Sequence, residues 1–281
     1  MKESKIARYT ANTLGTFVAL LAIFPLFWMI VSGFKKQGEV LAFPFRFFPK
    51  EWNAQNYIDI LVNSNSFFPD GASFSRSLLV TFGVASFCVV FSLLFNSMAS
   101  YVFARLDFPL KKILWVYYMM TMFIPGIAVY ITGFMVVDML NMTNTFWVLT
   151  LPGLAYVWSV FFIRQFYLNI PIALEEAALL DGASRFRIYR SIFLPLSIPP
   201  FVIMGMNVFL GYWSSFLWPV MTISDPNLYQ INQLIMFFKS QRNTEWQYIM
   251  AAASIASVPP IVLMLMFQKY IIQGIKLSGI K

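Results

Sequence analysis

The residues with the most chemistry in reach gather in one segment, 169–195. It reads Asn-Ile-Pro-Ile-Ala-Leu-Glu-Glu-Ala-Ala-Leu-Leu-Asp-Gly-Ala-Ser-Arg-Phe-Arg-Ile-Tyr-Arg-Ser-Ile-Phe-Leu-Pro. Glu175, Glu176 and Asp181 come before the glycine at 182, and Arg185, Arg187 and Arg190 come after it, with Leu and Ile between them. Pro171 suits the first turn of a helix, and the following nine residues are mostly strong helix formers. Asp181-Gly182 breaks that helix, because glycine accepts the left-handed backbone of a sharp turn. Ser184 then caps a second short helix running to Leu194-Pro195. Apolar anchors inside a charged rim form a docking knob for another protein. The plainer alternative is a solvated amphipathic loop.

Several other chemistries are excluded by residue type. The chain has no histidine, which removes His-dependent triads, metal sites and proton relays. Its one cysteine, Cys88, lies in an apolar run and has no intramolecular disulfide partner. None of the glycines is followed by lysine, so no G-x-x-x-x-G-K-[ST] phosphate loop exists. Acid–base or metal catalysis inside a membrane has no candidate residues, and the chain reads as a non-enzyme.

The elements that must position the loop are apolar. Of 281 residues, 59% are hydrophobic and 11% charged, under half the roughly 25% charged content of a soluble domain. Six stretches carry no charge: 9–34, 77–104, 113–137, 139–164 (the arginine excluded), 191–224 and 246–268. Each exceeds the ~20 residues an α-helix needs to cross a bilayer, and none alternates as a β-barrel strand would. The fold class is therefore an all-α integral membrane protein with six transmembrane helices, organised as one domain over 1–281. The first stretch lacks a small-residue cleavage pattern and reads as an anchor rather than a signal peptide.

With the N-terminus cytoplasmic, thirteen of the twenty Lys and Arg fall inside together with five acids, while the outer segments balance at seven and seven. All of the +8 excess then lies on one side, as the positive-inside rule asks. Both termini are cytoplasmic, the segment 35–76 is an external folded cap, and 164–195 is a cytoplasmic loop. The basic balance reports topology; no nucleic-acid partner is implied.

The loop resembles the EAA motif of ABC importer membrane subunits. Glu176-Ala177-Ala178, three residues, Gly182, nine residues and Ile192-Phe193-Leu194-Pro195 match without a gap, and Asp181-Gly182-Ala183 is similar to the carbohydrate-uptake, maltose-type group. The likeness extends through the segment from Asn96 to Pro109, Met122-Phe123-Ile124-Pro125, Leu140-Asn141, Asn144-Thr145, Arg164-Gln165-Phe166, Phe216-Leu217-Trp218-Pro219 and the stretch from Gln268 to Gly274. In length and in lacking a large external insertion, the chain looks like the smaller, MalG-like member of a permease pair. The family usually ends in Gly-Ala-Val-Lys-Gly, whereas this chain ends in Ser-Gly-Ile-Lys281.

The resemblance implies a type I ABC importer fold in a bacterial cytoplasmic membrane. It implies a second, homologous permease, two ATP-binding subunits, an extracytoplasmic solute-binding protein and a carbohydrate substrate. ATP and Mg would belong to the ATPase partners, with no cofactor in this chain. The helix carrying Glu175, Glu176, Ala177 and Ala178 would be the coupling helix, with Glu176 paired to a basic group of the ATPase and Gly182 permitting the turn. Ile192, Leu194 and Pro195 would tie the loop to the fifth membrane helix.

A candidate substrate path follows from spacing. Asn207, Gly211, Ser214 and Trp218 fall at i, i+4, i+7 and i+11, one face of a helix. Ser92, Asn96 and Ser100 make a similar line. An amide, a hydroxyl and an indole suit a sugar, yet small and polar residues at these spacings are also the usual glue between membrane helices, and packing is the first reading of both lines. Pro199-Pro200 is expected to open the fifth helix and Pro259-Pro260 to interrupt the sixth. In the external loop 227–247, Gln230, Asn232, Gln233 and Gln241 are candidates to face the binding protein. The same motif also fits an importer of another solute, such as glycerol phosphate. An ion-coupled secondary transporter is the competing class, but no ionisable residue lies inside the stretches to serve as a relay.

Overall fold

A computed structural model describes residues 5–62, 68, 71–239 and 244–279, with backbone alone for 5–8, 11 and 273–279. Gln241, Lys2, Glu3 and Lys281 lie outside the described residues. Among the described residues, three helices are long and apolar enough to cross a membrane unaided: Asn12–Gly33 within α1 (Lys5–Gly33), α3 (Phe74–Arg105), and Trp246–Ile272 within the C-terminal helix. Three further spans are bent pairs. These are α4 (Lys111–Phe123) with α5 (Gly126–Met139), α6 (Phe146–Gly153) with α7 (Val157–Leu168), and α9 (Arg185–Leu196) with α10 (Ile198–Trp213), bent by 102°, 45° and 79°. With each pair counted as one span, six apolar spans result. Four shorter helices, α2 (Gln55–Leu61), α8 (Ile172–Leu180), α11 (Leu217–Thr222) and α12 (Ile231–Ile235), and the long C-terminal α13 (Trp246–Gly279) complete the order among the described residues.

The bends have local causes. Ile124 is extended because it precedes Pro125, which also lacks a backbone donor. The α6–α7 break follows Pro152-Gly153. The α9–α10 break falls at Ser197, just ahead of Pro199-Pro200, and the Ser197 hydroxyl donates to the Phe193 carbonyl at 2.6 Å. The expected interruption at Pro259-Pro260 does not occur, since α13 runs through both prolines. A chain surrounded by lipid has no water to take up freed backbone groups, so a helix persists wherever its neighbours tolerate the ring. The second loop helix likewise passes Pro195 and ends at Leu196, through a π-helical turn at Tyr189–Phe193.

The chain divides into two compact units, Met1–Arg76 with Ile231–Pro259, and Ser77–Gln230 with Pro260–Lys281. In the first, the segment after α1 is folded against the end of that helix. The Asn56 amide donates to the carbonyls of Gly33 and Lys35 at 2.7 and 2.8 Å, closing the end of α1. Lys35 is fully buried; its ammonium donates to the Arg46 carbonyl at 2.7 Å and lies over the rings of Trp28 and Phe45. Burial pulls its pKa below the usual lysine value. The second unit holds three apolar clusters among the described residues, the smallest around Ala85, Phe209 and Trp213. Of the larger two, one centres on Val84, Cys88, Val148, Leu149 and Val208, and the other on Tyr101, Ile163, Tyr167, Ile188, Phe193 and Met204.

Candidate functional site

The loop is built largely as its sequence predicts. Helix α8 starts directly after Pro171 and ends in a Schellman turn. Gly182 sits at φ +77°, its amide donating to the Leu179 carbonyl at 3.0 Å, while the Ala183 amide donates to the Ala178 carbonyl at 2.9 Å. The Ser184 hydroxyl then accepts from the Arg187 amide at 3.3 Å and caps α9. On the inner side, Ala178, Ala183, Ile192 and Leu194 pack against the core of Tyr167, Ile188, Tyr189 and Phe193. Glu176, Ala177, Asp181, Gly182 and Pro195 are exposed, beside Ile172, Leu174, Leu180 and Phe186. Leu180 is 90% exposed at the tip.

The two neighbouring glutamates have different surroundings. Glu175 is buried and accepts from the Arg185 guanidinium at 2.5 Å, with Arg105 Nε 3.8 Å from its other oxygen. Arg105, the last residue of α3, also donates to the carbonyls of Tyr167 (2.6 Å) and Ile170 and stacks on Phe193. Glu175 thus ties both loop helices to the end of α3. Glu176 points away from this network. Arg105 is the residue that sequence reasoning missed here, because no local spacing links it to a glutamate seventy positions on.

The line Ser92, Asn96 and Ser100 is buried and packed within the chain. Asn96 donates to the Ser92 hydroxyl at 2.7 Å and the Leu154 carbonyl at 3.1 Å, and accepts from the Tyr156 amide at 3.2 Å. The Ser100 hydroxyl reaches the Val160 carbonyl at 2.9 Å. Asn96 thus supplies partners for backbone groups at the α6–α7 break, whereas Ser100 ties α3 to a carbonyl inside α7. Asn144 does related work, accepting from the amides of Ser224 and Asp225.

The second line is not one helical face. Asn207 and Gly211 lie on α10, Ser214 is past its end with its hydroxyl spent on the Leu210 carbonyl, and Trp218 belongs to α11. Asn207, Gly211 and Trp218 nevertheless line one cavity of about 580 Å³, and Ser214 does not. Its other polar or aromatic walls are Tyr130, Tyr156, Tyr212 and Ser215, contributed by α5, the α6–α7 break and α10 with its following turn. The Trp218 indole donates to the Val148 carbonyl at 2.9 Å, and the Tyr130 ring lies 5.8 Å away. No charged side chain lines this chamber. Sequence spacing missed the tyrosines, which come from separate elements.

Two of the external candidates turn inward. Gln230 and Gln233 are buried, Gln233 on the face of α12 that also buries Ile231 and Leu234. Their amides are therefore not presented to a binding protein, while Asn232 remains half-buried.

Comparison with known proteins agrees with these features. Residues 96–277 match the family described as binding-protein-dependent transport system inner membrane component. The probable ABC transporter permease protein YurM of Bacillus subtilis is 30% identical, covering 94% of this chain and 86% of the relative. The arabinooligosaccharides transport system permease protein AraQ of Halalkalibacterium halodurans is 27% identical over 100% of this chain and 99% of its own length. In fold, the chain is similar to a bacterial ABC transporter involved in the import of the acidic polysaccharide alginate, with a TM-score of 0.80 and 17% identity over 96% of this chain and 98% of that one. The chain belongs to the binding-protein-dependent transport system inner membrane components, the permease subunits of ABC importers.

Proposed function

We propose that this chain forms half of the translocation path of an ATP-driven importer for a sugar or oligosaccharide, and that the loop 164–195 couples it to a separate ATPase. The observation that carries this reading is the loop itself: a rigid helix–turn–helix anchored through Glu175 and Arg105, with Glu176 and a set of apolar side chains facing outward. The loop lies on the cytoplasmic side together with both termini, where the excess positive charge belongs. ATP and Mg bind the two ATPase partners. Closure of the ATPase dimer moves the docked α8 as a rigid body, and the membrane spans switch between inward- and outward-facing states. A second, homologous permease supplies the other half of the path, and an extracytoplasmic binding protein delivers the cargo.

A saccharide is favoured over glycerol phosphate because the chamber carries aromatic rings, an amide and hydroxyls but no cation to match a phosphate. The test is ATPase activity of the assembled complex in lipid, with and without cargo-loaded binding protein. Wild type is stimulated; Glu176→Ala and Gly182→Pro assemble but lose the stimulation. Full stimulation in both variants would reduce the loop to a surface feature.

A further inference from the structure

Two cavities of the second unit differ in character. One, of about 380 Å³, is walled by hydrocarbon from residues such as Phe82, Val90, Phe201 and Phe209, with Ser86 as its one hydroxyl. Such a crevice suits an acyl chain. The chamber, at about 580 Å³, lies within the ~300–1,000 Å³ range of small-molecule sites. The side-chain polar atoms of Tyr130, Tyr156 and Asn207 have no hydrogen-bond partner among the described residues, and they share the chamber with the indole of Trp218. Flat aromatic faces meet the C–H faces of a pyranose or furanose, while an amide and phenols exchange hydrogen bonds with its hydroxyls. Neither a phosphate nor a carboxylate finds a cation there.

The glycines of this chamber are not equivalent. A Cβ at Gly133 would meet the Trp218 ring at 3.5 Å, and one at Gly153 would strike the Tyr212 hydroxyl, so both make room for the aromatic walls. Gly126 opens α5, next to the break at Pro125. Gly211 is different: it lies inside α10, where an added Cβ meets nothing within 4 Å and the backbone is ordinary helix. Glycine in a helix interior is about 0.5–1 kcal/mol less favourable than alanine. Nothing among the described residues requires glycine at 211; what its missing side chain leaves open is the chamber.

We infer that the chamber is a saccharide-binding subsite of this chain, and that Gly211 sets the size of the sugar it admits. Tyr130 and Trp218 form the stacking corner, and Asn207 and Tyr156 read the hydroxyls. This rests on the importer reading and goes beyond it, because an importer whose cargo touched only the other permease would leave these residues idle.

The experiment uses the complete importer in proteoliposomes, with its binding protein and internal ATP. The probe is a mixture of gluco-, xylo-, arabino- and galacto-oligosaccharides from one to several units, with sn-glycerol 3-phosphate added. Imported species are read by mass spectrometry. Gly211→Ala and Gly211→Leu are compared with wild type at equal amounts of assembled complex, beside Trp218→Ala and Asn207→Leu. The expected result is that Gly211→Ala lowers uptake of the longest imported species by about tenfold, the discrimination one methyl group gives in a pocket, while shorter species still enter. Gly211→Leu extends the exclusion, and Trp218→Ala and Asn207→Leu lower import of every length. An unchanged length profile in all variants overturns the subsite and leaves the importer reading intact. Failure of Gly211→Ala to assemble with the second permease also overturns it, making Gly211 a helix-packing residue. Import of glycerol phosphate alone, or of no probe, removes the carbohydrate reading and the subsite together.

Discussion

The loop 164–195 and the chamber belong to the same compact unit and are built in opposite ways. The loop concentrates charge and then fixes it: Glu175 is held between Arg105 and Arg185, and the guanidinium of Arg105 also satisfies two carbonyls. Among the described residues no charged side chain lines the chamber, and the polar tips of Tyr130, Tyr156 and Asn207 have no hydrogen-bond partner. A surface that transmits force must not rearrange, and an ion network closed on itself meets that need once it is well formed. On the proposed function the chamber must release its cargo every cycle and so bind it weakly, and stacking with a few neutral hydrogen bonds serves that. Rigidity and readiness to let go thus come from different side chains a few helices apart.

The largest expected effect separates the two adjacent glutamates. Glu175→Ala leaves Arg105 buried without its anion, a change that costs about 3–5 kcal/mol when one partner of a buried pair is removed; thermal unfolding of the assembled complex in lipid reads it. Glu176→Ala leaves that unfolding unchanged and loses only stimulated ATPase activity. Equal unfolding of the two variants would break the division between anchor and contact.

Next is the packing beside the chamber. Asn96→Leu strands the Leu154 carbonyl and the Tyr156 amide at the α6–α7 break, costing about 1–3 kcal/mol for a buried group left unsatisfied. It should also raise hydrogen exchange at residues 154–157. An unaltered exchange pattern would mean the break holds itself.

Smaller effects sharpen the comparison. Gly182→Ala puts a side chain on a left-handed backbone at roughly 1–2 kcal/mol, and stimulated ATPase activity should fall without loss of assembly. Trp218→Phe keeps an aromatic wall and removes the bond to the Val148 carbonyl, about 0.5–1.5 kcal/mol. Import should drop more than stability does. Identical losses of import and stability would recast Trp218 as packing alone.

The loop was legible because its determinants are local. Pro171, Gly182 and Ser184 act on backbone within a few residues of themselves, so their types and spacing specify helix, turn and cap. The six apolar stretches were legible for a similar reason: lipid demands continuous hydrocarbon and internally bonded backbone. Proline was less informative. Pro125 and Pro199-Pro200 stand at bends while Pro259-Pro260 sits inside an unbroken helix. A missing donor is a local property, but relieving it by a bend or by the surroundings depends on what packs alongside.

Composition and the loop motif were therefore enough to specify a helical membrane subunit and the helix–turn–helix of its loop. Tertiary structure decided which glutamate is an anchor, that Asn96 supports a break, and that Gly211 opens a chamber walled by tyrosines from separate elements. The reason is physical: backbone propensity and hydrophobicity act over a few residues, whereas a buried charge or a cavity is defined by whatever distant side chains the packed helices bring to it.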